Sequence, residues 1–254
     1  SLVYTGHTYE IDFDDLAQKA ADPQVKVMLL CNPHNPACRV WTREELTRIG
    51  EICLRHNVTV VSDEIHCELV MPGQCYTPFA SLSAEFLQHS VTCISPSKAF
   101  NIAGLQIANI VCADAQMRAR IDRAINDNEV CDVNPFGVIA TEAAYNEGEE
   151  WLNQLIDYIW GNYQYMRDFC HEHLPSFPIA DLEGTYLVWM DCSKLNTKSS
   201  ELEEQLIDEA KLWLNAGNLY GSAGEGFMRW NIACPRATLV EGLSRFRRYV
   251  EKFT

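Results

Sequence analysis

Residues 94–105 read ISPSKAFNIAGL, and they place Lys98 among apolar and small side chains, directly after the β-branched run at 91–94. Burial disfavours an ammonium ion, so a lysine in such surroundings can become a neutral amine that condenses with a carbonyl group. The alternative is a surface lysine whose stem lies along the end of a strand while its head reaches water. Taken alone, Lys98 favours that alternative.

Two other polar sites also follow apolar runs. Asn32, in Cys31-Asn32-Pro33-His34-Asn35-Pro36, follows the run at 25–30, and Asp63, in Ser62-Asp63-Glu64-Ile65-His66, follows the run at 58–61. Short apolar runs separated by helical stretches predict buried parallel strands. Ligands bind outside the carboxyl ends of such strands. We therefore expect Asn32, Asp63 and Lys98 to lie at one crevice.

An amine, a carboxylate and an amide together meet the demands of pyridoxal phosphate. The amine forms a Schiff base with the aldehyde, the carboxylate keeps the pyridine nitrogen protonated, and the amide hydrogen-bonds the ring hydroxyl. The protonated ring then accepts electrons from a carbanion at the substrate α-carbon. The three residues therefore predict a site for this cofactor.

The three motifs resemble those of fold-type I pyridoxal-phosphate enzymes in the aminotransferase class I/II group. The run at 224–236, GEGFMRWNIACPR, is similar to the MalY/PatB-type cystathionine β-lyases of that group. The resemblance covers almost the whole chain and implies an α/β fold. It predicts an incomplete large three-layer α/β/α domain at 1–147, followed by an inter-domain helix and a small α+β domain at 148–254. It also implies that a segment precedes this start in complete members, so exposed sheet edges are expected.

The resemblance also implies roles for individual residues. Lys98 matches the Schiff-base lysine that later moves the α-proton, Asp63 the partner of the pyridine nitrogen, and Asn32 the ligand of the ring hydroxyl. The remaining predicted contacts are Ile65 and His66 at the cofactor ring, Ser95 and Ser97 at its phosphate, and Arg229 at the substrate carboxylate. No metal ligand is predicted.

Each residue has a simpler interpretation when taken alone. Asp63 is also a helix cap by position, Asn32 an Asx turn before proline, and Arg229 an exposed strand arginine. The sequence departs from the wider family at His66, where tyrosine is common, and at Gln106, where arginine is common. The MalY/PatB-type group resembles this chain at both positions. Cys38 stands where glycine is usual, which leaves the geometry of that turn open.

The resemblance implies a carbon–sulfur lyase that eliminates a thiol from a sulfur-bearing amino acid and gives pyruvate and ammonia. Amino-group transfer to a keto acid uses the same residues and remains an alternative. A catalytically silent fragment that acts only by protein association is a third hypothesis. Family members are usually homodimers, so a homodimer is expected for the full-length parent.

The composition limits the partners that are expected. A net charge of −15 over 254 residues argues against nucleic acid and anionic membranes. The 11 cysteines are scattered and never form a Cys-x-x-Cys pair, which predicts reduced thiols rather than disulfides or a zinc site. A cytoplasmic enzyme that acts on a small amino acid fits these features.

Local patterns predict several elements. A hairpin is expected at 4–9 with its turn near Gly6, and Thr42-Arg43-Glu44-Glu45 predicts a capping box before a helix to about His56. A long amphipathic helix is expected at 149–174, and another helix at 200–214.

Overall fold

The computed structural model describes residues 1–253. Their α-helices are α1 (Phe13–Ala20), α2 (Arg43–Arg55), α3 (Ala84–Gln88), α4 (Ala115–Asp127), α5 (Pro135–Glu147), α6 (Glu149–His173), α7 (Ser199–Gln205) and α8 (Arg236–Val250). Their strands are β1 (Leu2–Tyr4), β2 (Tyr9–Ile11), β3 (Val27–Cys31), β4 (Thr59–Asp63), β5 (Ser90–Ile94), β6 (Asn109–Val111), β7 (Leu187–Asp191), β8 (Asn215–Ala216) and β9 (Phe227–Asn231). The predicted hairpin is present as β1 and β2.

The chain divides into two compact units. The first contains 1–3, 10–34 and 40–154, and the second contains 4–9, 35–39 and the residues from Leu155 onward. The predicted domain boundary after residue 147 stays a prediction about folding domains. No helix within 1–253 has the length and apolarity needed to cross a membrane.

The first unit is built on a four-stranded sheet with the order β3-β4-β5-β6. β3, β4 and β5 are parallel, with Cys31 paired to Asp63 and Asp63 paired to Cys93. The apolar runs of the sequence predict these parallel strands. The last strand, β6, runs antiparallel to β5, an orientation that the sequence pattern did not reveal.

One face of this sheet packs on α1 and α2. Helix α2 starts with the predicted capping box, in which Glu45 N donates to Thr42 Oγ1 and Thr42 N donates to Glu45 Oε2. The helix buries its apolar side in a core with Trp41, Phe79 and Phe86. The predicted apolar residues of this helix, Leu46, Ile49, Ile52 and Cys53, are all buried.

Other parts of the sheet stay accessible. Val27 and Leu29 of β3 are 52% and 76% exposed, and Ile110 of β6 is 47% exposed. The apolar residues on this face and helix α4 line an open cavity of about 470 Å³. Exposed edges and an exposed apolar face were expected from the sequence.

The second unit contains a three-stranded antiparallel sheet with the order β7-β9-β8. Trp189 of β7 stacks on Phe227 of β9 with ring centroids 5.3 Å apart. Phe246 of α8 packs edge-on against Trp230 at 5.8 Å. The first contact joins two strands of the sheet, and the second packs α8 against it.

Cys38 takes the left-handed conformation, with φ 65°, that favours glycine. Its buried thiol donates to Leu187 O at 3.1 Å, and burial raises the pKa of this thiol to about 12. The cysteine therefore keeps the turn that the missing glycine would make.

The predicted helix at 200–214 is too long, because its last four residues are not helical. Helix α7 ends at Gln205 and continues only as one wider turn to Ala210. Lys211 then adopts φ 54°, and Leu212 N donates to Leu206 O at 3.0 Å, which closes the helix as a left-handed cap. The chain must leave the helix here because Asn215 and Ala216 pair with β9 as β8.

We expect Thr42→Ala to lower the free energy of unfolding by about 1 kcal/mol, because the N-cap of α2 loses its side-chain acceptor. Urea denaturation measures the change. Thr47→Ala is the matched control, since the Thr47 hydroxyl lies in the same helix and bonds only the Arg43 carbonyl. An equal loss in both variants would contradict the assignment.

Candidate active site

Three of the predicted residues lie at the carboxyl edge of the parallel strands. Asn32 directly follows β3, Asp63 is the last residue of β4, and Lys98 lies in a turn four residues after β5. The β3–β4 and β4–β5 pairings are parallel and in register. This topology brings an amide, a carboxylate and an amine to the same edge of one sheet.

The Asn32 side chain is fully buried and bonded on both sides. Its Nδ2 donates to Thr77 O at 3.1 Å, and its Oδ1 accepts from Trp41 N at 3.1 Å. One donor and one acceptor together define which way the amide points. The second N–H of Nδ2 makes no hydrogen bond within residues 1–253, so it remains for a ligand.

The Asp63 carboxylate is exposed, and its Oδ1 accepts from Ile65 N at 3.2 Å. It has no ion-pair partner in the described part of the chain. Its neighbours in the sheet are the thiols of Cys31 and Cys93. Burial and the Asp63 charge raise the pKa of Cys31 to about 11 and also raise the pKa of Cys93. Both thiols are therefore neutral near pH 7, and the only formal charge in this row is that of Asp63.

Lys98 is half-buried, in a turn closed by Phe100 N donating to Pro96 O at 2.9 Å. No hydrogen bond or ion pair joins its Nζ to any residue from 1 to 253. A half-buried amine without a carboxylate partner differs from an ordinary surface lysine, which either pairs or extends into water.

The two predicted phosphate ligands differ in their bonding. Ser95 Oγ donates to Ile107 O at 2.6 Å and accepts from Ser97 N at 3.1 Å, so its proton holds the turn together. Ser97 Oγ makes no hydrogen bond to residues 1–253, although the side chain is buried. Gln106 closes the next short turn with φ 51°. Ile65 is half-buried and His66 is buried, both just beyond Asp63.

Arg229 belongs to the second unit, and neutral groups hold its guanidinium. Nη1 donates to Asn35 Oδ1 at 3.0 Å and Nη2 donates to Asn215 Oδ1 at 2.8 Å. The guanidinium carbon lies 4.8 Å from the Tyr220 ring centroid. The buried Nε has no hydrogen-bond partner. Since no carboxylate pairs with it within 1–253, this cation can accept an anionic ligand.

Several residues of the site were missed from the sequence. Thr77 contributes a backbone carbonyl, which no side-chain motif reveals. Glu64 and Asn35 lie in the motifs at 62–66 and 31–36. Only the fold shows that Glu64 bonds Tyr76 and that Asn35 bonds Arg229. Within the residues that the structure describes, no group of three or more His, Cys, Asp or Glu side chains is arranged to hold a metal ion.

Comparison with known proteins gives a family match. The model of aminotransferase class I and II matches residues 2–246. The chain belongs to this family. Its similarity to fold-type I enzymes along the chain confirms the predicted α/β fold class.

Similar family members include lyases. Cystathionine beta-lyase PatB of Bacillus subtilis is 46% identical over 239 residues, which are 94% of this chain and 62% of that protein. Cystalysin from Treponema denticola, whose structure contains pyridoxal 5′-phosphate, matches with a TM-score of 0.97 and 33% identity over 100% of this chain and 64% of that one. A PLP-bound putative aminotransferase from Clostridium difficile matches with a TM-score of 0.93 and 41% identity, over 97% of this chain and 63% of that one. The chain thus spans a little over three fifths of the length of these relatives.

We expect Asn32→Ala to lower the free energy of unfolding by about 1–3 kcal/mol, because it removes the side chain that accepts from the buried Trp41 N and donates to the half-buried Thr77 O. Thermal and urea unfolding measure the loss. Asn126→Ala is the control, because its amide bonds an exposed carbonyl on α4 and its removal should change stability by less than about 0.5 kcal/mol. Equal stability of both variants would contradict the role of Asn32.

Proposed function

We propose that the protein to which this chain belongs is a pyridoxal-phosphate-dependent carbon–sulfur lyase. In the overall reaction a β-thio-substituted amino acid and water give pyruvate, ammonia and a thiol. The observation that carries the proposal is the placement of Asn32, Asp63 and Lys98 at the carboxyl ends of three parallel strands. The names of similar family members support the lyase reaction.

The groups at this edge fit pyridoxal phosphate. Lys98 offers an amine without a competing partner, Asp63 a carboxylate without a counter-ion, and Asn32 one spare N–H. Ser97 adds a buried hydroxyl with no hydrogen bond to residues 1–253. These groups match, in turn, an aldehyde, a pyridine nitrogen, a ring hydroxyl and a phosphate.

When bound, the cofactor supplies an electron sink for the pair of electrons left at the substrate α-carbon. Lys98 Nζ would hold the cofactor at its aldehyde carbon and, once free, would accept the α-proton of the substrate. The Asp63 carboxylate would keep a proton at the pyridine nitrogen. Asn32 Nδ2 would donate to the ring hydroxyl oxygen and so orient the ring.

Arg229 binds the substrate carboxylate in this proposal. Its guanidinium is already oriented by two asparagine oxygens and the Tyr220 ring, so little entropy is lost when an anion binds. Neutral holding groups leave its positive charge uncompensated. A carboxylate therefore gains more here than at an arginine that is already paired.

The lyase is preferred to an aminotransferase because His66 and Gln106 resemble the MalY/PatB-type group. The two reactions differ only after the α-proton has left. A lyase releases a thiol from the β-carbon of the substrate, whereas a transferase passes the amino group to a keto acid. Product analysis therefore distinguishes the two reactions.

A homodimer and a cytoplasmic location are part of the proposal. Helix α5 exposes Phe136 and Ile139 at 71% and 63%, which is apolar surface of the kind that subunit contacts cover. All 11 cysteines are free thiols, as is usual in a reducing compartment.

The first test is a titration of the purified chain with pyridoxal phosphate, followed by borohydride reduction and peptide mapping. We expect a yellow absorption band and a reduced adduct on Lys98, both lost in Lys98→Ala. Lys26→Ala is the matched control, because Lys26 is exposed just before β3, at the opposite end of the strand from Asn32. An adduct spread over several lysines would contradict the assignment.

The reaction is tested on the full-length protein with cystathionine and no keto acid. We expect pyruvate and ammonia in equal amounts. If product forms only when a keto-acid acceptor is added, the enzyme is an aminotransferase and not a lyase. If the protein binds the cofactor but catalyses neither reaction, the hypothesis of a protein that acts only by association is favoured.

We expect Arg229→Gln to raise the KM for the amino-acid substrate about ten- to a hundredfold, because a charge-assisted hydrogen bond contributes about 1.5–3 kcal/mol. Steady-state kinetics of the full-length enzyme measure it. The exposed Arg245, which pairs with Glu241, provides the control variant Arg245→Gln. An unchanged KM in Arg229→Gln would remove Arg229 from the substrate site.

A further inference from the structure

Glu64 directly follows Asp63, and its side chain is buried, at 2% exposure, without a cation. Its Oε1 accepts from Ser62 Oγ at 2.8 Å and from Phe79 N at 3.0 Å. Its Oε2 accepts from the Tyr76 hydroxyl. A buried carboxylate is costly unless donors replace its water, and here three donors do so.

These bonds fix a short piece of chain. Glu64 holds Tyr76 by its hydroxyl and Phe79 by its backbone N–H. Thr77 lies between these two anchors. Its carbonyl oxygen accepts from Asn32 Nδ2 at 3.1 Å. The position of the Thr77 carbonyl therefore depends on Glu64.

Two hydrogen bonds set the orientation of the Asn32 amide. Its Oδ1 accepts from Trp41 N, and the Thr77 carbonyl is the only acceptor for its Nδ2 within residues 1–253. If the carbonyl moves, the amide rotates about its last torsion, which is a soft one. The remaining N–H then loses its direction.

We propose that Glu64 is a positioning residue that, by fixing the Thr77 carbonyl, sets the direction of the Asn32 amide toward the cofactor ring. That the amide points toward the cofactor ring rests on the function proposed above. The link from Glu64 to Asn32 does not depend on it. Burial and the hydrogen bond to Glu64 raise the pKa of Tyr76, so its hydroxyl stays a donor across the useful pH range. A merely structural Glu64 would stabilise the fold without acting on Asn32.

The first experiment uses the chain without cofactor. The side-chain amide of Asn32 is followed by NMR in ¹⁵N-labelled protein and assigned through Asn32→Asp. We expect Glu64→Ala and Tyr76→Phe to shift both Nδ2 proton resonances and to speed their exchange with solvent. Glu64→Gln should restore most of the Glu64→Ala effect, because its remaining oxygen still accepts from Ser62 and Phe79.

Tyr145→Phe is the matched control. The Tyr145 hydroxyl donates to Glu68 Oε1 at 2.9 Å, so this variant also removes a tyrosine–carboxylate bond in the same unit. Neither residue bonds Asn32 or Thr77. Asn32 resonances that stay in place in Tyr76→Phe and Glu64→Ala, while the melting temperature falls, would overturn the proposal. Tyr76→Phe decides the matter if Glu64→Ala fails to fold.

The second experiment uses the cofactor-loaded protein. We expect cofactor binding about three- to tenfold weaker in Glu64→Ala, since one hydrogen bond to the ring is at stake. The pH titration of the visible band should shift in the same direction as in Asn32→Ala. The double variant should shift no further than Asn32→Ala, and additive shifts would overturn the proposal. If wild-type chain binds no cofactor, the proposed function fails, while the NMR result still decides whether Glu64 positions Asn32.

Discussion

The in-register parallel pairing of β3, β4 and β5 is the constraint on which the candidate site depends. Parallel strands that are in register end at the same edge, which is where ligands bind in open α/β sheets. Asp63 is the last residue of β4, Asn32 follows β3 and donates its backbone N–H to Asp63 O, and Lys98 lies four residues after β5. A shift of one residue in the β3–β4 pairing would turn the Asp63 side chain relative to its neighbours. Packing of α2 against the sheet, through Leu46 and Ile49, holds that register.

Two carboxylates next to one another in the sequence have opposite surroundings. Asp63 is exposed and keeps one backbone donor, so its charge remains available to a ligand. Glu64 is buried, and its carboxylate accepts hydrogen bonds from three donors of the protein itself. Alternation of side chains at the end of a strand accounts for the contrast. Asp63 thus remains available to a ligand, while Glu64 holds the loop at 76–79.

Arg229 illustrates how a cation is kept ready for an anion. Its bonds go to amide oxygens and to an aromatic ring rather than to a carboxylate. Such partners fix its geometry without cancelling its charge. The pattern contrasts with Arg39, which is nearly buried and pairs with Glu183 at 2.8 Å. Arg39 therefore stabilises the fold, whereas the charge of Arg229 remains available to an anionic ligand.

The sequence by itself determined the parallel strands β3, β4 and β5, the capping box at Thr42 and the family, and it predicted Asn32, Asp63 and Lys98 for the candidate site, because apolar runs and ordered motifs are local signals. Only the tertiary structure decided the antiparallel direction of β6, the end of α7 before β8, and the bond between Thr77 and Asn32. These features depend on partners that are distant in the chain. The last of them joins residues 45 positions apart through a backbone carbonyl, a group that every residue carries and that no sequence pattern can mark.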